Sequence, residues 1–210
     1  KSYIIHVSKG NGITFDNCEF YNNTGSVIVC TQSAVSNFVA NNNRFENNKG
    51  TINRDAPSNS LGLCFKIQTD GAILDNNTFI NNTNAVHGAA YCINAYDVIV
   101  SNNHIENNSA SYGAGIECHF GSIKVYNTTF IGNEAYGPNY MNPTRSGGGG
   151  AIAFIGPNNY LENCTFINNR AENFGGAMDI HTDGDQVADY TTVVNSRFIN
   201  NTADNYFGGA

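Results

Sequence analysis

The sequence Asn-Cys-Glu-Phe-Tyr-Asn-Asn at positions 17–23 is the first copy of a heptapeptide that occurs six more times along the chain. Its later copies read NNRFENN at 42–48, NNTFINN at 76–82, NNHIENN at 102–108, NTTFIGN at 127–133, NCTFINN at 163–169 and NSRFINN at 195–201. The central apolar residues, separated by 25, 34, 26, 25, 36 and 32 positions, are Phe20, Phe45, Phe79, Ile105, Phe130, Phe166 and Phe198. The unit is therefore about 25 residues long, and three units carry extra loops.

Two sets of short strands accompany the heptapeptide. Apolar residues alternate with polar ones just before it, as in Ile13/Phe15 and Val98/Val100, and this period of two indicates β-strands. A second strand follows small residues, as in Gly149-Gly-Ala-Ile, and Gly or paired Asn interrupts every window long enough for a helix. Short strands at a fixed period predict a solenoid. We therefore expect an all-β fold: a right-handed parallel β-helix of about seven coils with three loop insertions, spanning residues 1–210 as one segment of a longer repeat array.

Stacked coils place equivalent residues about 4.8 Å apart along the axis. The repeated Phe residues then form an interior column, and repeated Asn residues form ladders whose amides hydrogen-bond from coil to coil. The ladder that closes the heptapeptide consists of Asn23, Asn48, Asn82, Asn108, Asn133, Asn169 and Asn201. The alternative is a disordered Asn-rich tract, since 36 of the 210 residues are Asn, but the fixed Phe register favours a packed core.

Charge and hydropathy exclude two classes of partner. The formal net charge is −7 and only ten Lys and Arg residues occur, so a nucleic-acid partner is not expected. No apolar run approaches the roughly 18 residues of a membrane span, so this segment is not expected to insert into a membrane.

The alternation of a Gly-Gly-Ala motif with Phe-x-x-Asn carries a family resemblance. The first motif stands at Gly149–Ile152 and Gly175–Met178, with a looser copy at Gly113–Ile116, and Phe-x-x-Asn stands in six heptapeptides. This pattern resembles the repeats of chlamydial polymorphic outer-membrane proteins and the β-helical adhesin-like proteins of methanogenic archaea, and the Asn content favours the archaeal group. The resemblance implies an extracellular, cell-surface adhesin-like module that attaches to glycans or proteins of neighbouring cells.

Two alternative functions remain open at this point. One is a structural stalk or filament subunit whose open coil ends self-associate end to end, as edge strands do. The other is a carbohydrate-active enzyme, because parallel β-helices also host polysaccharide lyases and glycosidases.

The cysteines allow two interpretations. Cys30, Cys64, Cys92 and Cys118 all fall in the second strand of successive units, where stacked Cα atoms lie within disulfide range. This spacing allows disulfides Cys30–Cys64 and Cys92–Cys118 in an oxidising exterior. Stacking alone also explains the placement as a column of reduced, buried thiols that act as small apolar groups, and this is the interpretation that we favour.

Seven Asn-x-Ser/Thr sequons indicate glycosylation sites. We expect Asn22, Asn81, Asn107 and Asn200 to face solvent. The other three asparagines open a heptapeptide and are expected to point inward, out of reach: Asn76, Asn127 and Asn163.

Alignment of the Gly-rich strands suggests a binding face. It places Glu117 in register with Asp179, and His119 in register with His181. The two carboxylates then lie two coils, or roughly 10 Å, apart, beyond the roughly 6.5–9.5 Å of inverting glycosidases. Lys66 is the one basic residue that this face offers a lyase, so we expect no catalytic residue and no enzyme.

Three insertions, at 49–61, 134–148 and 182–191, interrupt the repeat. The middle one carries Tyr136, Tyr140 and Arg145, residue types that are frequent in binding surfaces. We expect the second and third insertions to flank the Glu117, His119, Asp179 and His181 face as a shallow recognition trough; the alternative is that they decorate a stalk. No cofactor is expected, although Asp183 and Asp185 are weak candidates for holding Ca²⁺. Two further histidines are expected to be solvated loop residues, His87 and His104.

Overall fold

The structure is a computed structural model that describes residues 3–25, 27–50, 63–83, 86–136, 147–181 and 190–205, without the side chains of Cys30 and Cys92. Its strands stack into three main sheets in which every pairing is parallel. Each coil gives one strand to each sheet before the chain climbs to the next coil. This is the predicted right-handed parallel β-helix. Among the described residues, no helix has the length and apolar character to cross a membrane.

The bounds of the strands follow the repeat. Sheet 1 contains Tyr3–Val7, Val27–Thr31, Phe65–Ile67, Tyr91–Ile93, Ile116–His119, Ile152–Ile155 and Met178–Ile180. Sheet 2 contains Thr14–Asp16, Val39–Asn41, Ile73–Asp75, Val98–Ser101, Ile123–Tyr126, Asn159–Glu162 and Thr191–Val194. Sheet 3 contains Glu19–Tyr21, Arg44–Glu46, Thr78–Ile80, His104–Glu106, Thr129–Ile131, Thr165–Ile167 and Arg197–Ile199.

Two smaller sheets join the main ones. On the return from sheet 3 to sheet 1, a four-stranded sheet is formed by Ser109–Ala110, Glu134–Ala135, Arg170–Ala171 and Thr202–Ala203. Between sheets 1 and 2, a two-stranded sheet is formed by Gly10–Asn11 and Val35–Ser36.

Each heptapeptide builds one strand of sheet 3 with a corner at either end. Its first and sixth residues adopt the left-handed conformation that turns the chain, as at Asn102 (φ 54°) and Asn107 (φ 53°). Asparagine and glycine tolerate this conformation better than other residues. The second and seventh residues then point into the coil, and Asn103 and Asn108 are accordingly buried. We call the two turns the 2–3 corner and the 3–1 corner.

The apolar core is a set of columns that run along the axis. The Phe residues of the heptapeptides stack in two runs: ring centroids lie 4.4 and 5.0 Å apart from Phe20 through Phe45 to Phe79, and 4.8 and 4.7 Å apart from Phe130 through Phe166 to Phe198. Ile105 occupies the same register between the two runs. The predicted Phe column is confirmed.

The asparagine ladder at the seventh position is continuous. Each side-chain amide donates to the Oδ1 of the next coil, at distances of 2.8 to 3.1 Å from Asn23 to Asn201. The same amide also donates to a backbone carbonyl in the preceding coil, as from Asn108 Nδ2 to Phe79 O at 3.1 Å. A buried polar group must be hydrogen-bonded to be tolerated, and the ladder satisfies this requirement at every turn.

One expectation about the corners is wrong. Asn76, Asn127 and Asn163 are exposed rather than inward-pointing, with φ values of 50°, 48° and 55°. The residue that points inward is the one after each of them, such as the buried Asn77 and Thr128. Where two asparagines are consecutive, only the first adopts the left-handed conformation that turns the chain, and the second points into the coil.

The strand register does not place the cysteines of the two allowed disulfides opposite each other. Cys30 pairs in register with Lys66 rather than Cys64, and Cys92 pairs with Glu117 rather than Cys118. Cys64 therefore lies two positions before the residue that pairs with Cys30, and Cys118 lies one position after the residue that pairs with Cys92. Cys64 and Cys118 have free, buried thiols.

Candidate functional site

Two columns of polar residues occupy the outward side of sheet 1. In the first, register pairs link Lys66, Cys92, Glu117, Ala153 and Asp179 on consecutive coils. The second lies two positions further along the strands and contains His119, Ile155 and His181; His119 pairs with Ile155, and the backbone N–H of His181 donates to Phe154 O at 3.0 Å. The alignment of these residues in the sequence predicted both registers correctly.

A third column borders these two, where the chain enters sheet 1. Isolated parallel bridges join His87 to Tyr112, Tyr112 to Gly148 and Gly148 to Phe174. Glycine is needed at position 148, because a Cβ there would lie 2.5 Å from Asp179 Oδ2 and 2.6 Å from a ring carbon of Tyr112. Because Gly148 has no side chain, the side chain of Tyr112 can extend across the face of the sheet toward Asp179.

A buried ion pair forms the first part of the site. Glu117 is fully buried, His87 is 8% exposed, and His87 Nδ1 lies 2.8 Å from Glu117 Oε1. The expectation that His87 is a solvated loop residue is therefore wrong. Burial disfavours the charged imidazolium, but the neighbouring Glu117 carboxylate outweighs burial and raises the pKa of His87. His119 Nδ1 lies 3.9 Å from the same Oε1 atom.

A tyrosine, an aspartate and a histidine form the second part. The Tyr112 hydroxyl donates to Asp179 Oδ2 at 2.5 Å and lies 2.7 Å from His181 Nδ1. Asp179 Oδ2 and His181 Nδ1 are 3.3 Å apart, so the three groups are in mutual contact. His181 is 25% exposed at its side chain, and Asp179 is 16% exposed. This cluster therefore presents hydrogen-bonding groups at the surface while Tyr112 anchors them from beneath.

An aromatic residue in an unusual conformation forms the third part. Phe120 follows the strand Ile116–His119, has a φ of 55° and leaves 57% of its surface exposed. Its ring stacks on the His119 imidazole with centroids 4.0 Å apart and an interplanar angle of 23°. A bulky residue in the left-handed region is strained by about 1–3 kcal/mol, and such strain clusters at functional sites. The exposed ring of Phe120 thus stands at the edge of the polar columns.

The arrangement suits binding better than acid–base catalysis. Glu117 is shielded from solvent, and Asp179 lies two coils away, or roughly 10 Å at about 4.8 Å per coil. A pair of carboxylates that cleaves glycosidic bonds must reach both sides of one bond. In the described part of the chain, no three His, Cys, Asp or Glu side chains are arranged to hold a metal ion.

The remaining predicted residues divide into two groups. Tyr136 is exposed at 45% and lies at the edge of the second insertion. Tyr140, Arg145, Asp183 and Asp185 lie outside the described residues, so the trough and the Ca²⁺ hypothesis stay predictions.

His104 is not a loop residue, which corrects a second expectation. It lies on the strand His104–Glu106, where its Nε2 is 2.7 Å from Glu106 Oε2.

Three residues of the site escaped the sequence analysis: His87, Tyr112 and Phe120. A signal existed for the first two, since each stands directly before the glycine that opens a Gly-rich motif, as Phe174 does. Aligning the motifs one residue earlier brings His87, Tyr112, Gly148 and Phe174 into one column. Phe120 gives no such signal, because its conformation is not visible in the residue type.

The buried thiols lie inside the coil and take no part in this site. Burial raises the pKa of Cys64 well above its usual value and that of Cys164 to about 11. Burial, with the Glu117 charge as a second cause, raises the pKa of Cys118 to about 12. Thiols of this kind act as small apolar groups rather than nucleophiles.

The parallel coils, the Phe column and the asparagine ladder define the class of this protein as a parallel β-helix. Residues 1–146 match the family described as the right-handed β-helix region, and the chain belongs to that family. No curated protein and no solved structure matches the chain.

Proposed function

We propose that this chain is an extracellular, cell-surface adhesin-like module that binds glycans through the outward face of sheet 1. The observation that supports it most is the exposed Phe120 ring, stacked on His119 beside the Tyr112, Asp179 and His181 cluster. Sugar rings pack their C–H faces on aromatic rings, and their hydroxyls hydrogen-bond to imidazole and carboxylate groups held at fixed spacing. The resemblance to archaeal adhesin-like proteins supports the same function.

The chemistry of the face favours a glycan over a flat protein partner. Its polar groups recur in columns at every second coil, as from Glu117 through Ala153 to Asp179, or roughly 10 Å apart, and such a spacing suits a chain of repeating polar units. The apolar component is small, because Phe120, at 57% exposure, is the large exposed apolar residue that borders this face. Protein interfaces usually bury a larger apolar centre.

The Phe120→Gly variant separates a binding role from a structural one. Glycine relieves the strain at φ 55° and keeps the backbone hydrogen bond from Phe120 N to Ile155 O. We expect the unfolding free energy to stay within about 1 kcal/mol of the native chain, while binding on a glycan array weakens at least tenfold. The matched control is Tyr21→Gly, which removes a 39% exposed aromatic residue from sheet 3 and should leave binding unchanged. Equal binding by native chain and Phe120→Gly would refute the proposal, as would an array to which the native chain does not bind.

A structural stalk or filament subunit is the second candidate. Four apolar side chains line one surface on the last described coil, namely Met178, Ile180, Val193 and Phe198. Ile180, Val193 and Phe198 are 52%, 40% and 36% exposed, so this surface is suited to pack against a further coil, either of the same repeat array or of another molecule. Sedimentation that shows concentration-dependent assembly, abolished by Val193→Glu, would support this candidate. Monomers at all concentrations would exclude it.

A further inference from the structure

The seven sequons occupy equivalent backbone positions. Each begins with an asparagine that turns a corner, with φ between 48° and 55°, and each of these asparagines is exposed. Three lie at the 2–3 corner, namely Asn76, Asn127 and Asn163. Four lie at the 3–1 corner, namely Asn22, Asn81, Asn107 and Asn200. The repeat therefore presents all seven acceptor amides to solvent.

The geometry of the coil explains why the whole sequon is accessible. The corner asparagine points outward, the middle residue points into the coil, and the hydroxyl residue points outward again. Asn76, Asn77 and Thr78 illustrate this: they are exposed, buried and half-buried in turn. The interior ladder uses only the side chain of the middle residue. The fold therefore does not need the side chains of the first and third residues, which a glycosyltransferase must contact.

The corner amides also have a hydrogen to spare. Asn76 Nδ2 donates to Asn42 Oδ1 at 2.7 Å, and Asn127 Nδ2 donates to Asn102 Oδ1 at 3.2 Å. An amide nitrogen carries two hydrogens, so replacing one by a sugar leaves the other for this outer hydrogen bond. Modification is thus compatible with the stacked coils.

The sequons are distributed unevenly around the coil. Both corners that carry them are the ends of sheet 3. The turn from sheet 1 to sheet 2 also uses asparagine in the left-handed conformation, at Asn37 (φ 51°) and Asn158 (φ 58°). Neither of these residues is followed at the second position by Ser or Thr. The turn beside the proposed binding face consequently contains no acceptor.

We propose that the seven corner asparagines accept N-linked glycans, which form two columns along the edges of sheet 3 and leave the outward face of sheet 1 bare. In the transfer, Asn Nδ2 forms a bond to the anomeric carbon of a lipid-linked sugar diphosphate. The bond from that carbon to the diphosphate oxygen breaks, the lipid diphosphate leaves, and the amide gives up one proton. No oxidant or reductant takes part. The inference rests on the proposed extracellular location, but not on the binding role of Phe120.

Peptide mass mapping of the protein purified from its own cells tests the proposal. We expect glycan masses on peptides that carry each of the seven asparagines. The matched controls are Asn42 and Asn102, which turn the same 2–3 corner with φ values of 56° and 54° but lack the hydroxyl residue. Unmodified peptides at all seven positions would overturn the inference, and so would modification confined to one column or found at Asn42 or Asn102.

A pair of substitutions at Thr78 distinguishes loss of the sequon from misfolding of the chain. Thr78→Ala removes one sequon without touching Asn76, whereas Thr78→Ser retains it. The glycan on Asn76 should disappear in the first variant and persist in the second. The two proposals also fail separately: an unmodified native protein that binds glycans through Phe120 sinks the column inference alone, and a glycosylated protein that binds no glycan sinks the binding function alone.

Discussion

Asn107 and Asn108 are neighbours in the chain, and their side chains have opposite roles. Asn107 turns the 3–1 corner with its side chain in solvent, whereas Asn108 is buried in the ladder. The Asn108 amide donates to Phe79 O and to Asn133 Oδ1, both at 3.1 Å, and its oxygen accepts from Asn82 Nδ2 at 3.0 Å.

Asn108→Ala should therefore destabilise the chain far more than Asn107→Gly. Removal of the Asn108 side chain takes a hydrogen bond from each of three buried groups in the two neighbouring coils, each costing about 1–3 kcal/mol. We expect a loss of about 3 kcal/mol in the unfolding free energy, measured by urea denaturation. Asn107→Gly keeps the turning conformation and should change it by less than about 1 kcal/mol. Similar losses in the two variants would contradict the division of roles.

The buried pair of His87 and Glu117 predicts a pH dependence of stability. Since the pKa of His87 is raised above its ordinary 6.5 in the folded chain, folding tightens the binding of that proton. The pair therefore stabilises the folded chain fully at pH values below the ordinary pKa of histidine, and this stabilisation is lost as pH rises through the raised pKa of His87. Two further titratable groups lie beside the pair: the Tyr112 ring, whose centroid is 6.5 Å from that of the His87 imidazole, and His119, whose Nδ1 is 3.9 Å from Glu117 Oε1.

Urea denaturation of native chain and His87→Gln at about pH 6 and about pH 8.5 measures this effect. The native chain should exceed the variant in stability by more at the lower pH. Glu117→Gln removes the cause of the raised pKa of His87. In a chain that carries Glu117→Gln, the stability lost on adding His87→Gln should therefore not increase as pH falls. An advantage that grows with rising pH would show that the imidazole is held neutral instead.

At the level of the element, the Gly-rich motif before the sheet 1 strand Ile152–Ile155 needs glycine for two reasons, a left-handed backbone conformation and the close approach of a neighbouring backbone group. Gly149 has a φ of 65°, and a Cβ added there would lie 2.2 Å from Ile152 O. Gly71 has nearly the same φ, 66°, but a Cβ there would meet nothing within 4 Å. A comparison of Gly71 with Gly149 therefore separates the effect of the left-handed backbone conformation from the effect of a steric clash between the added Cβ and a neighbouring carbonyl.

Gly71→Ala should cost about 1–2 kcal/mol, the usual cost of a side chain in the left-handed region. Gly149→Ala should cost at least about 3 kcal/mol, because the carbonyl of Ile152 must also move. Thermal and urea unfolding of the two variants provides the comparison. Equal losses would mean that conformation alone requires the glycine.

The repeat makes some elements predictable and leaves others unpredictable. The Phe column and the register of Glu117 with Asp179 follow from spacing alone, because every coil repeats the same positions. The choice between two adjacent asparagines does not, since both residue types are identical and only backbone conformation distinguishes them. The register of the cysteines was missed for a related reason: counting along the repeat placed them at one level, whereas Cys64 lies two positions from the partner of Cys30 and Cys118 one position from the partner of Cys92.

The site was only partly predictable because it combines repeated and non-repeated residues. Glu117, His119, Asp179 and His181 occupy repeated strand positions. His87 and Tyr112 lie in the return from sheet 3 to sheet 1, whose length varies between coils, so that counting from the heptapeptide misaligns them. Phe120 depends on a strained conformation, which no periodicity reveals.

On the scale of the whole molecule, the coils are interchangeable units, which a deletion can test. Asp16 pairs with Asn41, and Ser101 pairs with Tyr126. Removal of residues 17–41 or of residues 102–126 therefore joins equivalent positions and takes out one coil. Both variants should keep a β-rich circular dichroism spectrum and unfold cooperatively, because the strands of each coil pair with those of its two neighbours.

The two deletions should differ in binding. Removing 17–41 leaves the face of sheet 1 around Phe120 intact, so binding on the glycan array should persist. Removing 102–126 takes out Tyr112, Glu117, His119 and Phe120 together, and binding should be lost. A folded 102–126 variant that still binds would place recognition elsewhere on the molecule.

The parallel stacking of every sheet along one axis also decides how the molecule responds to tension. A pull on the two chain ends loads the hydrogen bonds of the outermost coil before those of any other, since the strands of each coil pair with those of the adjacent coils. Coils then peel away in sequence, and each of about 25 residues releases about 85 Å of extended chain at roughly 3.4 Å per residue. A tether built in this way lengthens in steps under load and absorbs mechanical work with each one.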